Sequence, residues 1–174
     1  MAFTKSRERT CFVLAKRETT EGTDAAPVGA TDDVQTVEAP NPIEQTVDRV
    51  IYRPHSSSLT SPKDLITVQL AEVDTQFWMV GSGSAGVSAV NGFAGIAALW
   101  EAAGCQEVTV AATSLTYKPA TVAQINTPSG TSPKCGPATV WADHDGLLHK
   151  ATGCWGNLTI TGAPTTGMVC RFRG

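Results

Sequence analysis

The sequence predicts a mainly β protein of the α+β class: an antiparallel β-sandwich flanked by one α-helix, with a long extended N-terminal arm or loop. Three observations support this prediction. The 174 residues include 16 Gly and 10 Pro, and 17% of them are charged, a composition unlike that of disordered or coiled-coil chains. Several short segments alternate apolar and polar residues, as half-buried strands do. One segment, residues 91–104, has helical periodicity, and the chain length fits a single domain, residues 1–174.

The predicted arm covers residues 18–62. This stretch is rich in Thr, Asp, Pro and Ser and has only short apolar patches. So long a segment without regular structure is uncommon inside a compact domain. We therefore expect it to be an extended arm or an inter-subunit loop, and residues 63–174 to form the sandwich core.

The first clear strand signal lies at residues 65–70, where apolar and polar side chains alternate. Beyond it the alternation changes phase, because Glu72 and Asp74 stand where apolar residues are expected. A β-bulge near Ala71 would account for this change.

The predicted helix, residues 91–104, begins at Asn91, a residue type that caps helix N-termini, and ends at Gly104. Its apolar residues cover one broad face, which we expect to pack on the sheets. They are Phe93, Ile96, Ala97, Leu99, Trp100 and Ala103.

Further strands follow the helix. Residues 107–111 predict a strand that continues toward residues 115–117 and stops at Pro119. Asp145-Gly146 is a two-residue turn signal, so residues 138–142 and 147–152 should form a hairpin.

Two final segments, residues 157–161 and 168–173, also alternate. The expected inward-facing side chains are Leu158, Ile160, Met168, Cys170 and Phe172.

Charge is unevenly distributed along the chain, whose formal net charge is −3. Residues 1–20 carry five basic and two acidic groups, whereas residues 21–48 carry seven acidic groups and no basic group. No segment is basic enough to predict tight nucleic-acid binding through phosphate neutralisation. The longest weakly polar run, residues 87–105, contains Asn91 and Glu101, so we expect no membrane span and no membrane partner. The N-terminus lacks the apolar stretch of a secretory signal.

A glycine pattern offers a remote alternative. Gly81, Gly83 and Gly86 match the GxGxxG pattern that cradles a dinucleotide between a strand and a helix. The preceding strand carries acidic residues, although a central parallel strand should be apolar on both faces. The acidic residue expected after the second strand is missing. A dinucleotide-binding enzyme through these glycines therefore stays the weaker hypothesis.

A second motif, Asp143-His144-Asp145 with His149, contains residue types that bind metals. In the predicted hairpin His144 opposes Leu147, and Asp143 points to the other face. Because no third ligand converges, we predict no metal site.

The five cysteines show no CxxC pair and are odd in number, which argues against a disulfide framework and a zinc knuckle. We expect reduced, mostly buried thiols. No G-x-S-x-G elbow and no phosphate-binding Gly-Lys-Ser/Thr loop occurs. The sequence therefore predicts no catalytic residue, no cofactor and no enzymatic activity. The cysteines are Cys11, Cys105, Cys135, Cys154 and Cys170.

Five strings, in this order and spacing, resemble tail tube (major tail) proteins of long-tailed bacteriophages. The resemblance spans most of the chain. The strings are residues 14–27, residues 47–54, the glycine-rich loop 81–86 leading to residues 98–104, residues 117–119, and residues 145–153 running to Leu158.

This resemblance implies a function in self-assembly. Six copies are expected to close into a ring through a shared inner barrel of strands, and hexameric rings are expected to stack into a tube. The implied partners are the tape measure protein, the tail terminator and baseplate or tip proteins, with transient passage of DNA that is not specifically bound. The implied location is the virion tail, after synthesis in the bacterial host cytoplasm. A tail-completion, connector or capsid decoration protein of a phage is the alternative.

A passive conduit should bind DNA weakly, because each phosphate neutralised by a cation retards movement. We therefore hypothesise that Glu72, Asp74 and Gln76, which interrupt an apolar pattern, face the lumen.

Overall fold

The chain is described by a computed structural model that covers residues 12–37, 42–52, 63–84, 93–110, 112–121, 135–144, 146–163 and 167–174. These residues contain ten strands and one helix, and every strand pairing among them is antiparallel. The predicted α+β, mainly β class is therefore confirmed. The elements are β1 (Phe12–Arg17), β2 (Asp33–Val34), β3 (Ile43–Tyr52), β4 (Lys63–Trp78), α1 (Ala94–Ala102), β5 (Cys105–Val110), β6 (Ser114–Pro119), β7 (Ala138–His144), β8 (Leu147–Cys154), β9 (Asn157–Ala163) and β10 (Gly167–Arg173).

The strands form two four-stranded sheets and a separate hairpin. The first sheet has the order β2-β1-β7-β8, and the second has the order β3-β4-β10-β9. β5 and β6 form the hairpin. The two large sheets and α1 bury one hydrophobic core between them, as in a sandwich whose inner faces interdigitate.

Alternation along the strands produces this core. In β4, Val73, Thr75 and Phe77 are buried, and in β10, Cys170 and Phe172 are buried. Side chains at every second position of a strand share one face, so these five lie on the inner face of the second sheet. Apart from Thr75, they belong to one hydrophobic cluster with residues of the first sheet and α1.

Two of the residues predicted to face inward are exposed. Ile160 pairs with Cys170 and Met168 pairs with Gly162, which places both on the inner face. Nevertheless 43% of Ile160 and 48% of Met168 is exposed. The inner face therefore extends beyond the part that the described residues cover.

α1 is shorter than the predicted helix. It begins after Phe93, which makes no side-chain capping bond, and Asn91 lies outside the described residues. At the other end, Gly104 has φ +79°, and its N–H donates to the carbonyl of Glu101 at 3.0 Å. This left-handed glycine ends the helix as predicted.

The predicted arm, residues 18–62, was expected to lack regular structure, and in its described part this expectation is wrong, because it contains β2 and β3. β2 pairs with β1 in the first sheet. The chain then crosses to the second sheet, where Thr36 bridges to Phe77 and the N–H of Val37 donates to the carbonyl of Gln76 at 2.9 Å. These residues fold onto their own domain because the sheets accept their backbone hydrogen bonds.

β3 and β4 form a long hairpin. Three consecutive side chains in each strand, residues 44–46 and 70–72, are exposed. Consecutive residues point to opposite faces of a strand, so both faces of the hairpin are uncovered there. The predicted bulge near Ala71 is wrong, because Ala71 pairs regularly with Gln45; the irregularity lies opposite Thr67, between Asp48 and Arg49.

The hairpin predicted around Asp145-Gly146 is confirmed. His144 pairs with Leu147 across a two-residue connection, and Gly146 has φ +84°. Asp145 lies outside the described residues. By contrast, the segment predicted to continue through residues 107–117 reverses at Ala112, whose φ is 55°, and forms the β5–β6 hairpin.

Candidate functional site

The three lumen-facing candidates share one surface, which we call the outer face: the side of the β3-β4-β10-β9 sheet that points away from the core. Glu72, Asp74 and Gln76 alternate along β4 with the buried Val73 and Thr75. Glu72 and Gln76 are exposed and Asp74 is half-buried. The structure thus brings all three together on one solvent-facing surface.

The outer face also carries two arginines that the sequence analysis did not identify. Arg171 lies opposite Gln76, and Arg173 lies opposite Asp74. Both alternate with the buried Phe172 in β10. That alternation is visible in the sequence, but it does not reveal which strand lies beside β10.

Each arginine binds a carboxylate diagonally across the β4–β10 pair. Nε of Arg171 donates to Oδ1 of Asp74 at 2.8 Å, and its Nη2 donates to Oδ2. Nε of Arg173 donates to Oε1 of Glu72 at 2.8 Å, and its Nη2 lies 2.7 Å from the same oxygen. Diagonal neighbours on one sheet face are within reach of long side chains.

These contacts determine the electrostatics of the outer face. The hydrogen bond from Arg171 lowers the pKa of Asp74 below its usual value, against the opposing effect of burial. In turn, the hydrogen bond to Asp74 raises the pKa of Arg171. Both groups are therefore charged at neutral pH. Exposed pairs of this kind contribute little to folding stability, so their main effect is on the charge that the surface presents.

Neighbouring strands and the rest of β4 complete the described part of the outer face, which also carries the exposed apolar residues Leu70 and Trp78. On β9, Thr159 lies opposite Arg171 and Asn157 lies opposite Arg173. On β3, Glu44 lies opposite Glu72. With its three carboxylates and two guanidiniums, this part of the outer face has a formal charge of −1.

The sheet ends in two unpaired edges. β3 and β9 are its outermost strands, and no other described strand pairs with their free sides. Along β9, every side chain except the half-buried Leu158 is exposed. An uncovered edge presents a row of backbone N–H and C=O groups to any strand that approaches.

Among the described residues, the strands that flank the glycine loop do not have the arrangement of a dinucleotide site. Gly81 and Gly83 follow β4, and Gly86 lies outside the described residues. A dinucleotide fold needs a parallel β-α-β unit. Here β4 pairs only with antiparallel neighbours, and β5 pairs with β6. A groove of about 770 Å³ lies beside the loop, lined in part by Trp100 and Tyr117.

The candidate metal ligands do not converge. Asp143 pairs with Leu148 and His149 pairs with Ala142, which places the two side chains on opposite faces of the hairpin. Oδ1 of Asp143 accepts a hydrogen bond from the N–H of Gly146 at 3.1 Å. Among the described residues, no group of three His, Cys, Asp or Glu side chains has the geometry to bind a metal ion.

Of the four described cysteines, Cys105 is half-buried, and Cys135, Cys154 and Cys170 are buried. Burial raises the pKa of Cys154 to about 11 and also raises the pKa values of Cys135 and Cys170. A thiol that stays protonated is a poor nucleophile, so these positions have no feature of a reactive cysteine.

Comparison with known proteins adds no assignment. No protein-family model matches the chain, and no curated protein matches its sequence significantly. Within the described ranges, no helix has the length and apolar character needed to cross a membrane.

Proposed function

We propose that this chain is a structural virion protein that assembles into stacked hexameric rings and so forms the tail tube of a long-tailed bacteriophage. The resemblance of its five sequence strings to tail tube proteins motivates the assignment. The observation that carries it is the second sheet, which combines two edges that no other described strand covers with a solvent-facing surface that carries charged side chains. The edges supply a means of joining copies, and the surface suits the lining of an aqueous channel.

The direction of the strands supports edge-to-edge joining. The sheet has four strands in which every neighbouring pair is antiparallel. β3 and β9 therefore run in opposite directions. When β9 of one copy lies beside β3 of the next, the antiparallel alternation continues without interruption. An interface between two different surfaces closes into a ring if its rotation permits, and closure removes every exposed edge.

The number of strands fits a conduit. A ring of six copies would join six four-stranded sheets into a barrel of roughly 24 strands. At a strand spacing of about 4.8 Å, such a barrel has a backbone diameter of at least about 37 Å. Barrels of about 16 to 18 strands already enclose an aqueous channel. The outer face would line this channel, and the core and first sheet would form the wall.

The β3–β4 hairpin supplies a second contact. On the side opposite to the outer face, the exposed pair Gln45 and Ala71 is available to a neighbouring subunit or ring. In this role the tube encloses the tape measure protein, meets the terminator at one end and the baseplate or tip proteins at the other, and passes DNA without binding it specifically.

The test is electron microscopy of the purified full-length chain. Negative staining of concentrated protein should show hollow tubes or stacks of rings with six-fold end views, and sedimentation velocity should show loss of monomer as concentration rises. Isolated rings that never stack would favour a tail-completion or connector protein instead. A monomer at every concentration would contradict self-assembly.

A further inference from the structure

The outer face contains two guanidinium groups whose partners are carboxylates of the same chain. Arg171 makes two hydrogen bonds to Asp74, and Arg173 contacts Oε1 of Glu72 through two nitrogens. All four side chains are substantially solvent-exposed, from 34% for Asp74 to 65% for Arg173. The pairs are therefore accessible to ligands from solution.

A guanidinium binds phosphate with the same planar fork that binds carboxylate. Arg171 and Arg173 are two positions apart on β10, so they lie on the same face, about 7 Å apart along the strand. Such a pair presents two phosphate-binding groups in one direction. A surface with two unoccupied arginines would attract nucleic acid through counterion release.

We propose that Arg171 and Arg173 form a masked phosphate-binding site, in which Asp74 and Glu72 take the place of the phosphates of duplex DNA. The choice of duplex DNA as the excluded ligand rests on the proposed function. The carboxylates act in two ways. They occupy the hydrogen-bonding forks of the arginines, and together with Glu44 they give the described outer face a net negative charge that repels phosphate.

The two carboxylates bind the guanidinium groups in preference to phosphate because they belong to the same chain. An intramolecular partner acts at a high effective concentration, whereas a passing phosphate must displace it and also approach Glu72 and Asp74. Neutralising both carboxylates changes the formal charge of the described outer face from −1 to +1. The same change leaves both guanidinium forks open.

The test compares DNA binding by the full-length chain and two double variants. Fluorescence anisotropy is measured with a labelled duplex of about 25 base pairs in about 50 mM salt, at protein concentrations where sedimentation shows monomer. We expect Glu72→Gln/Asp74→Asn to bind the duplex about tenfold more tightly than the wild type, with a salt dependence steeper by about two counterions. The matched control Glu21→Gln/Asp33→Asn changes the net charge equally but leaves the outer face intact, and should show a much smaller gain.

A third variant assigns the gain to the arginines. Adding Arg171→Gln and Arg173→Gln to Glu72→Gln/Asp74→Asn should return the affinity to the wild-type level. The proposal is overturned if the outer-face variant binds no more tightly than the charge-matched control, or if its gain persists without the arginines. Thermal unfolding of each variant verifies that it is folded. These DNA-binding measurements use monomer. A failure to form tubes in microscopy would therefore contradict the proposed function without changing the outcome of the DNA-binding test.

Discussion

The carboxylate of Glu18 accepts a hydrogen bond of 2.7 Å from the hydroxyl of Thr139, a residue 121 positions further along the chain. The same oxygen, Oε1, accepts the N–H of Gly153 at 2.7 Å, and Oε2 accepts the N–H of Gly22 at 2.7 Å. Only 2% of Glu18 is exposed. One buried carboxylate thus holds the loop after β1 against β7 and β8.

We expect Glu18→Ala to lower the free energy of unfolding by about 3 kcal/mol, since it leaves buried donors without an acceptor. Glu18→Gln should cost less but still destabilise, because its NH₂ group would face a backbone N–H. Urea unfolding followed by circular dichroism measures both. Glu21→Ala is the control: Glu21 is exposed, so a change of under about 0.5 kcal/mol is expected. Equal effects at the two positions would contradict the role given to Glu18.

Gly95 lies where α1 approaches the loop before β2. A Cβ added there would collide with the carbonyl oxygen of Asp32 and lie 2.9 Å from Cγ2 of Val34. Alanine is intrinsically better than glycine in a helix by about 1 kcal/mol, yet overpacking costs about 1 to 3 kcal/mol. We therefore expect Gly95→Ala to lower the melting temperature.

The matched control for Gly95 is Gly136, which is also buried. A Cβ at Gly136 would have its nearest neighbour, Cδ of Arg17, at 3.7 Å, which is ordinary van der Waals contact. Gly136→Ala should leave the melting temperature nearly unchanged. A Gly95→Ala protein as stable as the wild type would show that α1 is not held closely against β2.

Glu101 predicts an unusual pH dependence. Burial raises the pKa of this carboxyl, although Arg17 lies 3.1 Å from Oε2 and opposes the shift. A raised pKa in the folded state gives a stability contribution that is complete below the unfolded pKa of about 4.3 and is lost as pH rises through the folded value. Relative to the wild type, Glu101→Gln should therefore become more stable as pH rises from about 4.

Asp74 should show the opposite pH dependence of stability. Its pKa is lowered by Arg171, so its stability contribution is present above the unfolded pKa of about 3.9 and is lost as pH falls through the folded value. Asp74→Asn should be less stable than the wild type at neutral pH, and the difference should shrink toward about pH 3. Chemical denaturation across this pH range measures both variants. Parallel pH profiles for the two substitutions would contradict the assignment.

The sequence predicted the parts of the fold that depend on local patterns. Alternation located β9 and β10, and the turn residues at 145–146 located the β7–β8 hairpin. Residues 18–37 were misassigned because β2 has only two residues and is held in place by residues that are distant in the sequence. A polar segment held by Glu18 and by backbone bonds has no local apolar signal, so composition alone suggested an arm.

The candidate site was also predicted only in part, because half of it depends on residues that are distant in the sequence. Phase disruption drew attention to Glu72 and Asp74, and the structure places them on one exposed face. Their partners, Arg171 and Arg173, are 97 and 101 positions away. Only the pairing of β4 with β10 brings these groups together, and sequence spacing contains no information on that pairing.

The free edge of β9 gives the sharpest test of ring formation. Proline has no N–H to donate to a neighbouring strand, and successive N–H groups point to opposite sides of a strand. Of the paired substitutions Thr159→Pro and Ile160→Pro, one removes a bond to β10 and the other removes a donor from the free edge. The variant that loses the bond to β10 should have a less stable monomer. The variant that loses the free-edge donor should remain a folded monomer that no longer forms rings, as measured by sedimentation velocity and negative-stain microscopy. Assembly of both folded variants into normal tubes would show that β9 does not join neighbouring copies.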